Sequence, residues 1–285
     1  MRLGGVAIHP GSIEGLEGFC TLADDHGLSA IVAPAGLDRM DEEAAAAWGE
    51  AARNAGLVIG EAGFWENLQT PDGDLAADRL ARLRRTLRNA EVMGCRSVAI
   101  LPGTHHPSDK GFAADAFIRS KEGRCAVLAT IRAALDGVDP ASTRLGMEPY
   151  AASFFYRPEE VLDFLDEVDD PRFGLHLDLA NMLTVDTFFD SRAMIEHWMP
   201  DLAPHAVSCH LKDLTRPVSP LGLAFAEVDL GNGAIDAFLP ADMTVFCEHF
   251  ATEQDYFRNF DLAHALAGAQ GVNFLARHPS KGDVT

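Results

Sequence analysis

Short apolar runs recur along the chain at 6–9 (VAIH), 28–34 (LSAIVAP), 57–63 (LVIGEAG), 97–103 (SVAILPG), 144–149 (RLGMEP), 173–178 (FGLHLD), 206–211 (AVSCHL) and 243–249 (MTVFCEH). Each has the length and residue types of a buried strand. Between the early runs lie segments with apolar residues at i, i+3 and i+4, at 13–27, 40–56 and 74–94, each ending in Gly. That spacing predicts amphipathic helices stopped by a glycine C-cap just before strands two, three and four.

Strand and helix therefore alternate from end to end, with no Ser/Gly-rich linker to mark a boundary, and the pattern predicts one α/β domain. A doubly wound sheet would carry a glycine-rich phosphate turn after its first strand. Here that turn reads HPGS, and neither GxGxxG nor GxxxxGK[ST] occurs. The expected architecture is a (β/α)₈ TIM barrel in a single domain over 1–285, the barrel spanning about 3–268 and a tail 269–285. In such a barrel the active site lies at the C-terminal ends of the strands.

Those ends carry the informative chemistry. The fifth run ends in Glu148, the sixth in Asp178, the seventh in His210 and the eighth in Glu248, each separated from the next by about one βα unit. Four side chains of metal-ligand type converge on one rim. Three carboxylates brought together would repel one another unless a cation neutralised them. One imidazole with three carboxylates suits a single divalent ion, Mn²⁺, Mg²⁺, Co²⁺ or Zn²⁺, with Mn²⁺ the first choice.

Composition narrows the partners. The 285 residues carry a formal charge of −20, with 47% hydrophobic and 23% charged residues. Such a surface repels a phosphate backbone, and no basic patch is visible, so no nucleic-acid partner is expected. Five cysteines without CxxC spacing imply neither a disulfide framework nor a zinc knuckle. The apolar start is cut short by His9 and Pro10, and no run reaches the ~20 apolar residues that span a bilayer. A cytoplasmic protein without a membrane partner is expected; a homo-oligomer is compatible with the sequence, which shows no interface signature.

Glu148, Asp178, His210 and Glu248, in that order and spacing, resemble the ligand set of the xylose-isomerase-like TIM barrels, a superfamily that includes ketose 3-epimerases, hydroxypyruvate isomerases, inosose dehydratases and a zinc-type apurinic endonuclease. The resemblance covers about residues 3–268. It implies that those four residues hold the metal and that the substrate is a small sugar or polyol-derived carbonyl compound. Arg216, six residues after His210, resembles the substrate-binding Arg of the epimerases, and 225–239 resembles the glycine-containing loop before strand eight. Two positions depart from the epimerase pattern: Asn181 stands where a His is common and Phe154 where a Glu is common. The second strand run, IVAPAG, lacks the extra His that the endonuclease members use.

A metal that chelates a carbonyl oxygen and a neighbouring hydroxyl acidifies the C–H between them. Glu148 and Glu248, on different sides of the rim, are the expected catalytic acid/base pair, giving isomerisation or epimerisation through an enediolate. A leaving group on the next carbon turns the same chemistry into a lyase reaction, either dehydration of a keto-inositol or elimination from an oxidised glycoside. A barrel that binds metal and ligand without catalysis is the third reading. Expected substrate contacts are His9, Trp65, His176, Asn181, Lys212 and Arg216. Glu61, His105 and His106 occupy similar rim positions, and Phe154, Phe155 and Tyr156 are candidates to floor the pocket, with loop packing as their alternative. Lys212 offers a charge for an oxyanion, or a salt bridge to Asp213 or Asp236. Strand alternation turns His249 away from Glu248 and out of the site.

Overall fold

A computed structural model describes residues 1–218, 224–235 and 243–278. Eight parallel strands form one sheet in the order β1 (Arg2–Gly5), β10 (Thr244–Cys247), β7 (Ala206–Leu211), β6 (Phe173–Leu177), β5 (Arg144–Met147), β4 (Ser97–Ile100), β3 (Val58–Phe64) and β2 (Ala30–Val32). The ends of this row meet, with the Ser29 N–H donating to the Leu3 carbonyl at 2.9 Å, so the sheet curls into a nearly closed (β/α)₈ barrel. Helices α1 (Leu16–Asp25), α2 (Glu42–Asn54), α3 (Gly73–Met93), α4 (Lys121–Leu135), α5 (Pro158–Val168), α7 (Ser191–Leu202) and α8 (Glu253–Ala269) surround it, and a single turn, α6 (Leu179–Met182), follows β6. Among the described residues no helix is long and apolar enough to cross a membrane.

The first strand lies earlier than the apolar run at 6–9 suggests. Arg2 to Gly5 pair with Thr244 to Cys247, and the chain then folds back, the Ile8 N–H donating to the Gly5 carbonyl at 3.3 Å. The consecutive glycines of RLGG disguise it, because glycine is a weak strand former. The glycine stops are found as expected, with φ of 64° at Gly27, 74° at Gly56 and 77° at Gly94. An antiparallel hairpin, β8 (Asp213–Thr215) with β9 (Ala226–Val228), was not signalled by the apolar pattern. The buried Asp213 carboxylate shapes the chain after it, accepting from the backbone N–H groups of Leu214, Gly231, Gly233 and Ile235 at 2.7–3.0 Å. Asp236 lies outside the described residues, as do the end of the 225–239 loop and the end of the tail beyond His278.

Two irregularities set which side chains face inward. Between β2 and β3 the register moves from Ile31↔Ile59 to Val32↔Glu61, leaving Gly60 as an unpaired bulge residue. A Cβ there would come within 2.8 Å of Phe246 and Thr244, so only glycine leaves room for the fully buried Phe246 ring inside the barrel. The next residue, Glu61, is 1% exposed and reaches the barrel axis. A second shift between β6 and β7 pairs His176 with Ser208, and from there the period of two turns Ser208, His210 and Lys212 inward.

Two loops wall one side of the mouth, and buried Asn67 ties them together. Its amide donates to the Thr104 carbonyl at 2.7 Å and to Asp109 at 2.9 Å, while its oxygen accepts from the Thr104 and Gln69 N–H groups at 2.8 and 3.1 Å. The Arg79 guanidinium also bridges Asp109 and Glu66. Replacing Asn67 with Ala strands several buried partners and is expected to cost about 1–3 kcal/mol in chemical denaturation. A change within ±0.3 kcal/mol, roughly the scatter of independent sites, would show that the two loops do not depend on this residue.

Candidate metal centre

At the C-terminal mouth of the barrel β5, β6, β7 and β10 deliver Glu148, Asp178, His210 and Glu248, all four expected to lie together. One candidate ligand atom from each falls within 4.8 Å of every other. First-row dications sit about 2.1 Å from N and O donors, so donors on opposite sides of one are about 4.2 Å apart. A modest inward movement fits all four to one ion.

The polar atoms themselves show what the group would take. The His210 Nε2–H donates to Glu61 Oε1 at 3.1 Å, since an ionised carboxylate can only accept. Nδ1 then points at Glu248 Oε2, 3.1 Å away, and toward Glu148 Oε1 at 3.9 Å. Buried His210 Nδ1 and Asp178 Oδ2 lack an aligned hydrogen-bond partner. A deprotonated Nδ1 and two or three carboxylate oxygens facing one point would suit a divalent cation. Glu61 behind His210 completes a carboxylate–histidine–metal relay of the kind that fixes ring orientation.

Within the chain, His210 and Lys212 are the positive groups that meet these carboxylates. Lys212 Nζ lies 2.7 Å from Asp178 Oδ2 and 2.8 Å from Glu248 Oε2, bridging two of the quartet rather than pairing with Asp213. Burial alone would lower its pKa, but Asp178, Glu248 and Glu148 outweigh that and hold it well above the usual lysine value. Burial also opposes charge on His210, yet Glu61 and Glu248 outweigh it and raise its pKa well above normal. Burial, then the neighbouring Asp178, pushes Glu148 well up. For Glu248 burial acts in the same direction but is overcome by His210, His249 and Lys212, and the net shift is downward.

Around this centre the expected residues divide. Asn181 Nδ2 donates to Glu148 Oε1 at 2.8 Å, and the Trp65 ring lies 6.0 Å from His210; both line a cavity of about 500 Å³ that opens over Glu148 and Glu248. His176 is fully buried beneath, its Nδ1 2.5 Å from Ser208 Oγ and 3.3 Å from Glu61 Oε2, with burial and the His210 charge pulling its pKa to about 4. It supports Glu61 and has no access to a substrate. His9 is exposed on the loop after β1 and contacts the Pro10 carbonyl; Val6, nearer the strand end, lines the cavity instead. The Arg216 guanidinium packs over Phe188 and Phe189 at 5.8 and 5.0 Å, outside the residues lining this cavity. His105 stacks on Phe117 and His106 bonds Ser108, away from the cavity. Phe154, Phe155 and Tyr156 are buried, the two phenylalanines packing against Phe164.

Tyr150 and His249 are polar cavity residues that the sequence pattern does not point to. Tyr150 donates to Glu148 Oε2 at 3.3 Å, two residues along the chain, and burial and that carboxylate keep its phenol neutral by raising its pKa. His249 has a φ of +63°, which breaks strand alternation and swings its ring back over the mouth. Its Nε2 lies 3.2 Å from Glu248 Oε1 and its Nδ1 2.5 Å from Glu227 Oε1, and these two bonds raise its pKa to about 9.

A family profile described as xylose isomerase-like TIM barrel matches residues 20–240. The chain belongs to that family. No curated protein matches the sequence. Among solved structures, a xylose isomerase-like TIM barrel protein from Mycobacterium smegmatis in complex with magnesium is 14% identical, with a TM-score of 0.67 over 94% of this chain and 97% of its own. D-psicose 3-epimerase from Clostridium cellulolyticum H10, solved with D-tagatose, is also 14% identical, with a TM-score of 0.67 over 96% of this chain and 100% of its own. A probable 3-DHS dehydratase from Bacillus anthracis is 13% identical, with a TM-score of 0.66 over 92% and 98%. These likenesses establish a shared fold among xylose isomerase-like barrels of different chemistry.

Because a metal must displace the proton on His210, affinity for Mn²⁺ is expected to rise with pH until the raised pKa of His210 is passed and then to level off. Calorimetric titrations between pH 5.5 and 9 check this, and affinity that is flat or falls with pH contradicts it. Glu61→Gln leaves the four donors intact but weakens the relay, and is expected to reduce metal affinity about 10–100-fold. Wild-type affinity in that variant would show that Glu61 does not orient His210.

Proposed function

We propose that this protein is a divalent-metal-dependent isomerase or epimerase of a small sugar or polyol-derived carbonyl compound. The observation that carries the reading is the buried His210 Nδ1 facing Glu148, Asp178 and Glu248 beside an open cavity. Support comes from the fold shared with D-psicose 3-epimerase, a sugar-converting member of the same architecture. When bound, a dication there supplies Lewis acidity to a carbonyl and its neighbouring hydroxyl.

The chain's own residues do the rest. Glu148 and Glu248 stand on β5 and β10, with β6 and β7 between them in the sheet, and both border the cavity. A carbon held over the quartet meets a carboxylate on two sides, so one removes its proton and the other returns one, passing through an enediolate. Tyr150 and Asn181 fix both oxygens of Glu148, and Lys212 and His249 fix those of Glu248. Tyr150 and His249 hold the two carboxylates on the cavity side while the quartet closes on the ion and Lys212 gives up one of its bridges. Lys212 keeps a positive charge beside the developing oxyanion.

His249 favours the lyase as a second reading. Its ring stands at the rim of the cavity with both nitrogens held by Glu227 and Glu248, so a departing hydroxyl or alkoxide would take a proton from Nδ1 by displacing Glu227. Loss of water or of an aglycone from the substrate separates this outcome from isomerisation.

The test is solvent exchange. Protein loaded with Mn²⁺ and incubated in D₂O with a series of ketoses is expected to place deuterium on the carbon beside the carbonyl. Glu148→Gln and Glu248→Gln, each checked for retained metal, are expected to lower the exchange rate about 10²–10⁴-fold. No exchange with any ketose, or wild-type exchange in both variants, would overturn the proposal and leave a ligand-binding barrel.

A further inference from the structure

The strand starts lie at the end of the barrel opposite the quartet. Arg2 opens β1, and alternation turns it toward the axis, since a Cβ on Gly4 would come within 2.7 Å of the buried Phe246 ring. Its register partner on β10 is Thr244, which is 1% exposed and packs against Gly60 inside the barrel. Arg144 opens β5, across the barrel from β1. Its Nη2 donates to the Phe173 carbonyl at 2.9 Å, and a Cβ on Gly174 would come within 3.0 Å of that nitrogen. Arg96 directly precedes β4 and is open to solvent.

These three arginines have no counter-charge. Among the described residues no carboxylate pairs with any of them, whereas nearby Arg172 pairs with both Asp170 and Asp139. The Glu91 carboxylate on α3 accepts from Ser142 and Thr143 instead. Burial lowers the pKa of Arg144, and burial with the Arg2 charge lowers that of Arg96. Both shifts run against charge, as they do where no anion is near.

Hydrogen bonding is incomplete at the same place. Arg2 Nη1, Arg144 Nε and the Thr244 hydroxyl are buried and have no hydrogen-bond partner. Buried polar atoms are nearly always paired, so three such atoms at one ring of strand starts call for a ligand that accepts. Guanidinium forks are donors alone and match planar or tetrahedral oxyanions. A carboxylate neutralises one positive charge, while a phosphate group carries about −1.5 to −2 at neutral pH and accepts from several directions.

We propose that the N-terminal end of the barrel is a binding site for a phosphate group. The group lies between Arg2 and Arg96, with the Thr244 hydroxyl beside Arg2 and Arg144 adding positive charge from across the barrel. The site is separate from the quartet and does not depend on how the quartet is read.

Inorganic phosphate and a phosphate monoester share this chemistry, so the test uses both. Each is titrated into the full chain at constant ionic strength, with chloride as the control, and the thermal unfolding midpoint is followed. Phosphate also stabilises proteins by exclusion from their surfaces, but that effect does not saturate. A saturating rise with inorganic phosphate is expected; saturation with glycerol 3-phosphate alone would assign the site to an ester. Arg96→Gln is expected to raise the half-saturating concentration at least about tenfold, and Arg96→Lys to recover most of the loss. Without phosphate, Arg96→Gln should unfold no earlier than the wild type, because it removes an unpaired charge beside Arg2. Midpoints that move no more with either phosphate than with chloride, or wild-type half-saturation in both Arg96→Gln and Arg2→Gln, overturn the proposal.

Discussion

Four carboxylates, Glu61, Glu148, Asp178 and Glu248, are crowded around one imidazole in a nearly dry barrel mouth. Like charges at these distances repel strongly in a low-dielectric interior and each pays to leave water. Only positive charge among them makes the arrangement tenable, and His210 and Lys212 supply it from within the chain. A proton on Nδ1 is a poor substitute for an ion there, since Nδ1 and Asp178 Oδ2 stay without aligned partners. That misfit is what the proposed dication would relieve, and the adjoining cavity is where its substrate would bind.

The rest of the fold serves that cluster. Parallel strands with a period of two place one inward donor at each of four neighbouring strand ends, and the bulge at Gly60 brings Glu61 beneath them as a support. Phe246, set against Gly60, is fully buried inside the barrel. Above, Asn67 and Arg79 lock the two loops that carry Trp65 and Phe112. The cavity is thus lined by Glu148 and Glu248 together with Val6, Trp65, Leu101 and Phe112.

Sequence spacing made the architecture and the quartet legible because both follow from regular geometry: one βα unit per repeat and one inward residue at each strand end. What it missed depends on departures from that geometry. Glu61 stood out only as one rim residue among several, since its inward reach needs a bulge that no alternation reveals. His249 was turned outward by simple alternation, and its positive φ reverses that. His9 looked like a strand end because RLGG hides the true strand, which stops at Gly5. Phe154 to Tyr156 promised an aromatic floor, but the chain buries them, and Tyr150 takes the place instead. Arg216 was placed by resemblance to relatives, and here its guanidinium faces Phe188 and Phe189.

The claim on which all of this depends is that one dication sits among Glu148, Asp178, His210 and Glu248. Anomalous X-ray scattering from a crystal soaked in MnCl₂ tests it most directly. The account predicts a single strong peak within about 2.0–2.3 Å of a donor atom from each of the four residues, with His210 bound through Nδ1. Lys212 should be displaced from at least one of its two carboxylates. A mouth without a peak at saturating Mn²⁺, with Lys212 still bridging Asp178 and Glu248, would contradict it.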